Sequence, residues 1–170
     1  MSQAVELDAA GRSDPSRPPQ FISFSHISVP CRDLDEAKRF YTKVVGGTLR
    51  LEQPNFFIVK IADAEIGVGS VGGSFMQGNA EYPHFAFFAA PDAMLRMKAW
   101  LTRCGIPSSN FWTRRGVEAL MFFRDPSGNL IELFCEEGFV GAEQLPRGPA
   151  RGHGTAVDVD ALRYTGWRLP

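Results

Sequence analysis

Phe21-Ile22-Ser23-Phe24-Ser25-His26-Ile27-Ser28-Val29 and Tyr82-Pro83-His84-Phe85-Ala86-Phe87-Phe88 are two apolar strand patterns, each carrying a histidine. The residues after each strand decide the fold. After the first, a helical pattern runs from Asp33 to Val45 and stops at Gly46; after the second, one runs from Asp92 to Cys104 and stops at Gly105. Asp33 and Glu36 have the spacing of a capping box. Leu34, Ala37, Tyr41, Val44 and Val45 then recur on one helical face, as do Met94, Met97, Leu101 and Cys104 in the second copy. Pro107 lies just past the second glycine, where a helix has already ended. The interval from histidine to glycine differs by one residue between the copies. A module has been duplicated.

Strands complete each copy. In the first, Thr48–Glu52, Phe56–Ile61 and Glu65–Ser70 alternate or run apolar, with a tight turn at Asp63-Ala64. In the second, a short strand is expected near Ser109–Thr113. Glu118–Phe123 then pairs with Leu130–Phe134 across Asp125-Pro126-Ser127-Gly128-Asn129, which has the proline, glycine and asparagine that a turn requires. The fold class is α+β: two βαβββ modules form a curved, cup-shaped mixed sheet with the helices outside. The polar, proline-rich residues 1–20 read as a flexible tail. The folded region is 21–137, with modules at about 21–71 and 82–137 joined by a glycine-rich linker. Residues 138–170 form a Gly-, Pro- and Arg-rich C-terminal extension laid over the surface or over a partner subunit.

The bulk properties exclude several functions. A chain of 170 residues with 44% hydrophobic content and net charge −1 is an ordinary globular protein. That charge argues against nucleic-acid binding, and no apolar stretch is long enough to span a bilayer. The N-terminus lacks signal-peptide layout. Three cysteines without CxxC spacing, Cys31, Cys104 and Cys135, fit a reducing, cytoplasmic setting and buried apolar roles.

Chemistry enters through alternation. Phe24, His26 and Ser28 share one strand face; so do His84, Ala86 and Phe88, and so do Leu130, Glu132 and Phe134. If both modules line one cup, His26, His84 and Glu132 can point into it. Two imidazoles and a carboxylate can hold a divalent metal ion, Fe, Mn, Ni or Zn, with positions left for substrate. The competing reading for each histidine is a hydrogen-bonded core residue. For Glu132 it is a salt bridge to Arg124, because an unpaired buried carboxylate is costly.

The segment Asp33 to Gly47 after His26, and Phe123-Arg124-Asp125-Pro126-Ser127-Gly128-Asn129-Leu130-Ile131-Glu132, resemble the vicinal oxygen chelate superfamily. That superfamily includes glyoxalase I, fosfomycin resistance enzymes, extradiol dioxygenases and bleomycin resistance proteins. The resemblance covers about 21–137. It implies metal ligands at His26, His84 and Glu132, a homodimer, and a small-molecule substrate chelated through vicinal oxygens. Where glyoxalase I has a further glutamate ligand this chain has Gly67, with Glu65 two residues earlier on the same face. Where extradiol dioxygenases have a tyrosine it has Phe122. Together these features point to a metal-dependent glyoxalase-like lyase or isomerase. Its alternatives are an Fe(II) extradiol dioxygenase and a metal-free binding protein of the bleomycin-resistance type. Glu65 is the candidate base and Ser28 a second proton-handling group. Arg114 and Arg115 are candidates for binding an anionic substrate group, and Phe122 for the pocket wall.

Overall fold

The structure, a computed structural model, describes residues 25–70, 83–148 and 157–170. The expected tail at 1–20, the start of the first strand, the linker and His153 lie outside the described residues.

The first module is β1 (His26–Pro30), helix α1 (Leu34–Arg39) continuing into a π-helical turn over Phe40–Val44, then β2 (Thr48–Gln53), β3 (Phe56–Ile61) and β4 (Ala64–Gly69). Asp33 caps α1, its side chain accepting the Glu36 N–H at 2.8 Å. The predicted helix is therefore present, but its last turn is not α-helical: Val45 N–H reaches back five residues to the Phe40 carbonyl. β2, β3 and β4 form an antiparallel meander, and β4 returns beside β1 in parallel, so the order is β1-β4-β3-β2. The β3–β4 turn falls at Ala62-Asp63, one residue earlier than predicted, with Ala62 at φ 54°.

The second module is β5 (Phe85–Phe88), α2 (Pro91–Cys104), β6 (Ala119–Arg124) and β7 (Leu130–Cys135), with sheet order β5-β7-β6. Gly105 ends α2 at φ 72°, as its place after the apolar stripe predicts. The strand expected at Ser109–Thr113 does not form. Ser108 and Trp112 make isolated bridges to β6, and the Ser109 hydroxyl, rather than a backbone carbonyl, accepts the Phe122 N–H at 2.9 Å. A side chain has replaced a ladder rung.

Each sheet gives one face to a common core. Val29, Phe57, Val59 and Val68 from the first sheet meet Met121, Phe123, Ile131 and Leu133 from the second, around Phe40, Tyr41, Met94 and Leu101 of the helical segments. A polar junction fixes the modules. Asp125 Oδ1 accepts the N–H groups of Ser127 and Asn129 at 2.9 and 2.8 Å. Its Oδ2 accepts Asn129 Nδ2 at 2.8 Å and the Tyr41 hydroxyl at 3.0 Å. Asn129 Nδ2 also donates to the Pro30 carbonyl. Every bond here joins the β6–β7 turn to itself or to the first module.

Candidate functional site

Because each sheet spends one face on the core, the candidate residues occupy the other faces. On the second sheet that face carries Leu120, Phe122, Leu130, Glu132 and Phe134, with His84 just before β5. His84 Nε2 lies 2.8 Å from Glu132 Oε2, with side-chain exposures of 16% and 6%. The Glu132 carboxylate thus has its partner in His84. Arg124, the competitor predicted from sequence, points elsewhere: its Nε donates to the Val159 carbonyl and its Nη1 to the Gly128 carbonyl. Phe122 is fully buried beside the pair, its ring 5.4 Å from His84 in a T-shaped contact and 5.7 Å from Trp112.

The first sheet presents His26, Ser28, Glu65 and Gly67 together. His26 pairs with Glu65 and Ser28 with Gly67 across the parallel β1–β4 ladder. His26 and Ser28 are exposed, and the Ser25 hydroxyl meets His26 Nδ1 at 3.1 Å. Arg50 Nε is 4.0 Å from the partly exposed Glu65 carboxylate. Gly67 is tightly enclosed: a Cβ there would come within 2.9 Å of both the Phe56 ring and Ser28 Oγ. A longer residue at that position would have to displace both.

Within one chain, then, the structure joins His84 to Glu132 and keeps His26 on the other sheet. Among the described residues no three His, Cys, Asp or Glu side chains gather where one ion could be held. The two that do meet are of ligand type, an imidazole nitrogen and a carboxylate oxygen, and lie at ion-pair distance from each other.

Arg114 and Arg115 sit in a braced loop. The buried Glu118 carboxylate accepts both their backbone N–H groups at 2.9 Å, and Arg115 Nε lies 3.3 Å away. Burial alone would raise the Glu118 pKa, but these N–H donors, its own and the Arg115 charge hold it below the usual carboxylate value. The Arg114 guanidinium lies over the Trp112 ring, 4.6 Å from its centroid.

Sequence reasoning missed Trp112, Val159 and Leu162. These three pack with Leu120, Phe122 and Leu130 into a second apolar cluster on the face that carries Glu132. The C-terminal extension therefore covers its own chain. The signal was present as Val157, Val159, Leu162, Tyr164 and Trp167, an apolar series within a polar segment. Farther along, Trp167 Nε1 donates to Glu36 at 3.1 Å and Arg168 N–H to the Cys104 carbonyl at 3.0 Å.

The sequence pattern of the Glyoxalase/Bleomycin resistance protein/Dioxygenase superfamily matches residues 23–133. The chain belongs to this superfamily. Solved structures agree on the glyoxalase-like fold. Lactoylglutathione lyase from Agrobacterium tumefaciens is 20% identical with a TM-score of 0.56, covering 69% of this chain and 95% of that one. The fosfomycin resistance protein FosX from Listeria monocytogenes, complexed with Mn(II) and sulfate, is 19% identical with a TM-score of 0.60, covering 73% and 96%. A glyoxalase/bleomycin resistance protein/dioxygenase from Alicyclobacillus acidocaldarius is 25% identical with a TM-score of 0.56, covering 65% and 89%. No curated protein matches the sequence. Among the described residues no helix is long and apolar enough to cross a membrane.

Proposed function

We propose that this chain is a divalent-metal-dependent lyase or isomerase of the glyoxalase type, acting on a small substrate chelated through two neighbouring oxygens. The observation that carries this reading is the His84–Glu132 pair, an imidazole and a carboxylate 2.8 Å apart on an otherwise apolar sheet face. The Listeria relative, complexed with Mn(II), supports a metal in a protein of this fold. His26 is the third ligand. Since both candidate faces turn away from the shared core, a homodimer completes the set by laying the first sheet of one protomer against the β5 side of the other's second sheet, where Phe88 stays exposed beyond the C-terminal extension. The partner subunit's His26 then meets His84 and Glu132.

When bound, the ion (Fe, Mn, Ni or Zn) supplies Lewis-acid stabilisation of developing negative charge and a template for the substrate. The remaining roles belong to side chains. Glu65, beside His26, takes a proton from the carbon next to the substrate carbonyl. Ser28 hydrogen-bonds the substrate on the same face, Arg114 and Arg115 bind its anionic end, and the buried Phe122 backs the His84 ring. Phe122 has no proton to give, which favours this reading over a ring-cleaving dioxygenase.

Elemental analysis of protein purified without chelators tests the proposal. About one metal per chain is expected, falling about tenfold in His26→Ala, His84→Ala and Glu132→Ala. Less than about a tenth of an ion per chain, unrestored by added Fe, Mn, Ni or Zn, overturns it in favour of a metal-free binding protein. Conversion of methylglyoxal with glutathione then identifies a lyase, and oxygen uptake with catechols a dioxygenase.

A further inference from the structure

We propose that a small oxyanion, a carboxylate or a phosphate, binds in a hollow between Arg32, the Arg124–Gly128 turn and the Arg163–Thr165 stretch of the C-terminal extension. The hollow has a volume of about 250 Å³ and is lined by three arginines, Arg32, Arg124 and Arg163, and by Asp125. Since a water occupies about 30 Å³ of liquid volume, there is room for such an ion with part of its hydration.

Three guanidinium groups gather here against two carboxylates, those of Asp125 and Asp160. Both Asp125 oxygens are committed to Tyr41, Ser127 and Asn129. Arg124 is fully buried, and its Nη2 has no hydrogen-bond acceptor among the described residues; Asp160 Oδ1 is 3.9 Å away. A buried charged donor without an acceptor is expensive. Burial, and then the neighbouring Arg163 charge, push the Arg124 pKa below the usual arginine value. Arg32 gives one nitrogen to the Pro126 carbonyl at 2.9 Å, and Arg163 gives its Nε to Asp160 at 3.1 Å. Each guanidinium has five N–H donors in a planar fork, the geometry that grips carboxylate or phosphate through two oxygens. An oxyanion would relieve the crowding of like charge and tie the extension to the body of the chain.

Thermal unfolding of the full chain, titrated with inorganic phosphate, acetate or sodium chloride at matched ionic strength, tests this. Expected is a saturable rise of about 5 °C with phosphate or acetate beyond the chloride control. The more effective of the two identifies the oxyanion class. The rise should disappear in Arg163→Gln and in Arg32→Gln, two variants that leave the buried Arg124 in place. A rise no larger than that with chloride, or one that survives both variants, overturns the proposal. So does a rise lost in Glu132→Gln but kept in Arg163→Gln, which would place the anion at His84. Loss of the rise in Arg163→Gln and in Arg32→Gln does not depend on whether the His84–Glu132 pair holds a metal.

Discussion

Tyr41 shows what a single buried hydroxyl commits the fold to. It is fully buried and hydrogen-bonded to Asp125, and burial together with the Asp125 charge pushes its pKa well above 10.0. Burial raises Tyr164 in the same direction. In the unfolded chain both ionise near pH 10. Their contribution to stability is therefore complete below pH 10 and is lost as pH rises beyond it towards the folded-state values. As pH rises above 10, stability should therefore fall, because the unfolded phenols ionise while the buried ones resist it. Urea unfolding at pH values on either side of 10 measures the fall, and Tyr41→Phe should make it shallower. Tyrosine absorbance should show both phenols ionising only as the chain unfolds. Asp125 is displaced in the same sense for a related reason: burial raises its pKa more than the bonds from Asn129, Tyr41 and Ser127 lower it.

Among the elements, the C-terminal segment has the clearest energetic role. Leu162 is 5% exposed and packs in the cluster around Trp112 and Phe122. Leu162→Ala should cost about 2–4 kcal/mol, read from the midpoint of urea unfolding. A cost below about 0.5 kcal/mol would mean that the segment does not hold this place. Sequence periodicity reached the rest of the architecture unevenly. The N-cap at Asp33, the glycine after α2 and the alternation that turns Glu132 to the opposite face from Ile131 are local signals, and the structure agrees with them; the Glu36 half of the capping box is not made, its carboxylate taking the Trp167 N–H instead. The Ser109 substitution for a ladder bond and the surface on which the apolar series around Val159 docks were not legible, because each depends on which distant element lies alongside. The same limit applied to the site. Alternation placed His26 and Glu132 on their strand faces, but not the orientation of the two sheets about one core.

At the scale of the whole molecule, that orientation generates the decisive test of shared sites. If each metal centre takes His26 from one protomer and His84 with Glu132 from the other, then His26→Ala and His84→Ala chains should be inactive separately. Unfolded together and refolded as a mixture, they should regain metal, because a hybrid dimer contains one complete set. Random pairing makes half the dimers hybrids with one site of two, so recovery should approach about a quarter of the wild-type metal content. Equal emptiness in the mixed and separate samples would show that each centre is built within one chain.

The bond from Tyr41 to Asp125 spans 84 residues of sequence. During synthesis at about 5–20 residues per second, the phenol leaves the ribosome about 4–17 s ahead of its acceptor. Over that interval the N-terminal half holds a wet, unmated face that only the later half can dry. The chain therefore matures as a closing hinge rather than as two beads, and a nascent product halted between the modules is a substrate for chaperones and proteases.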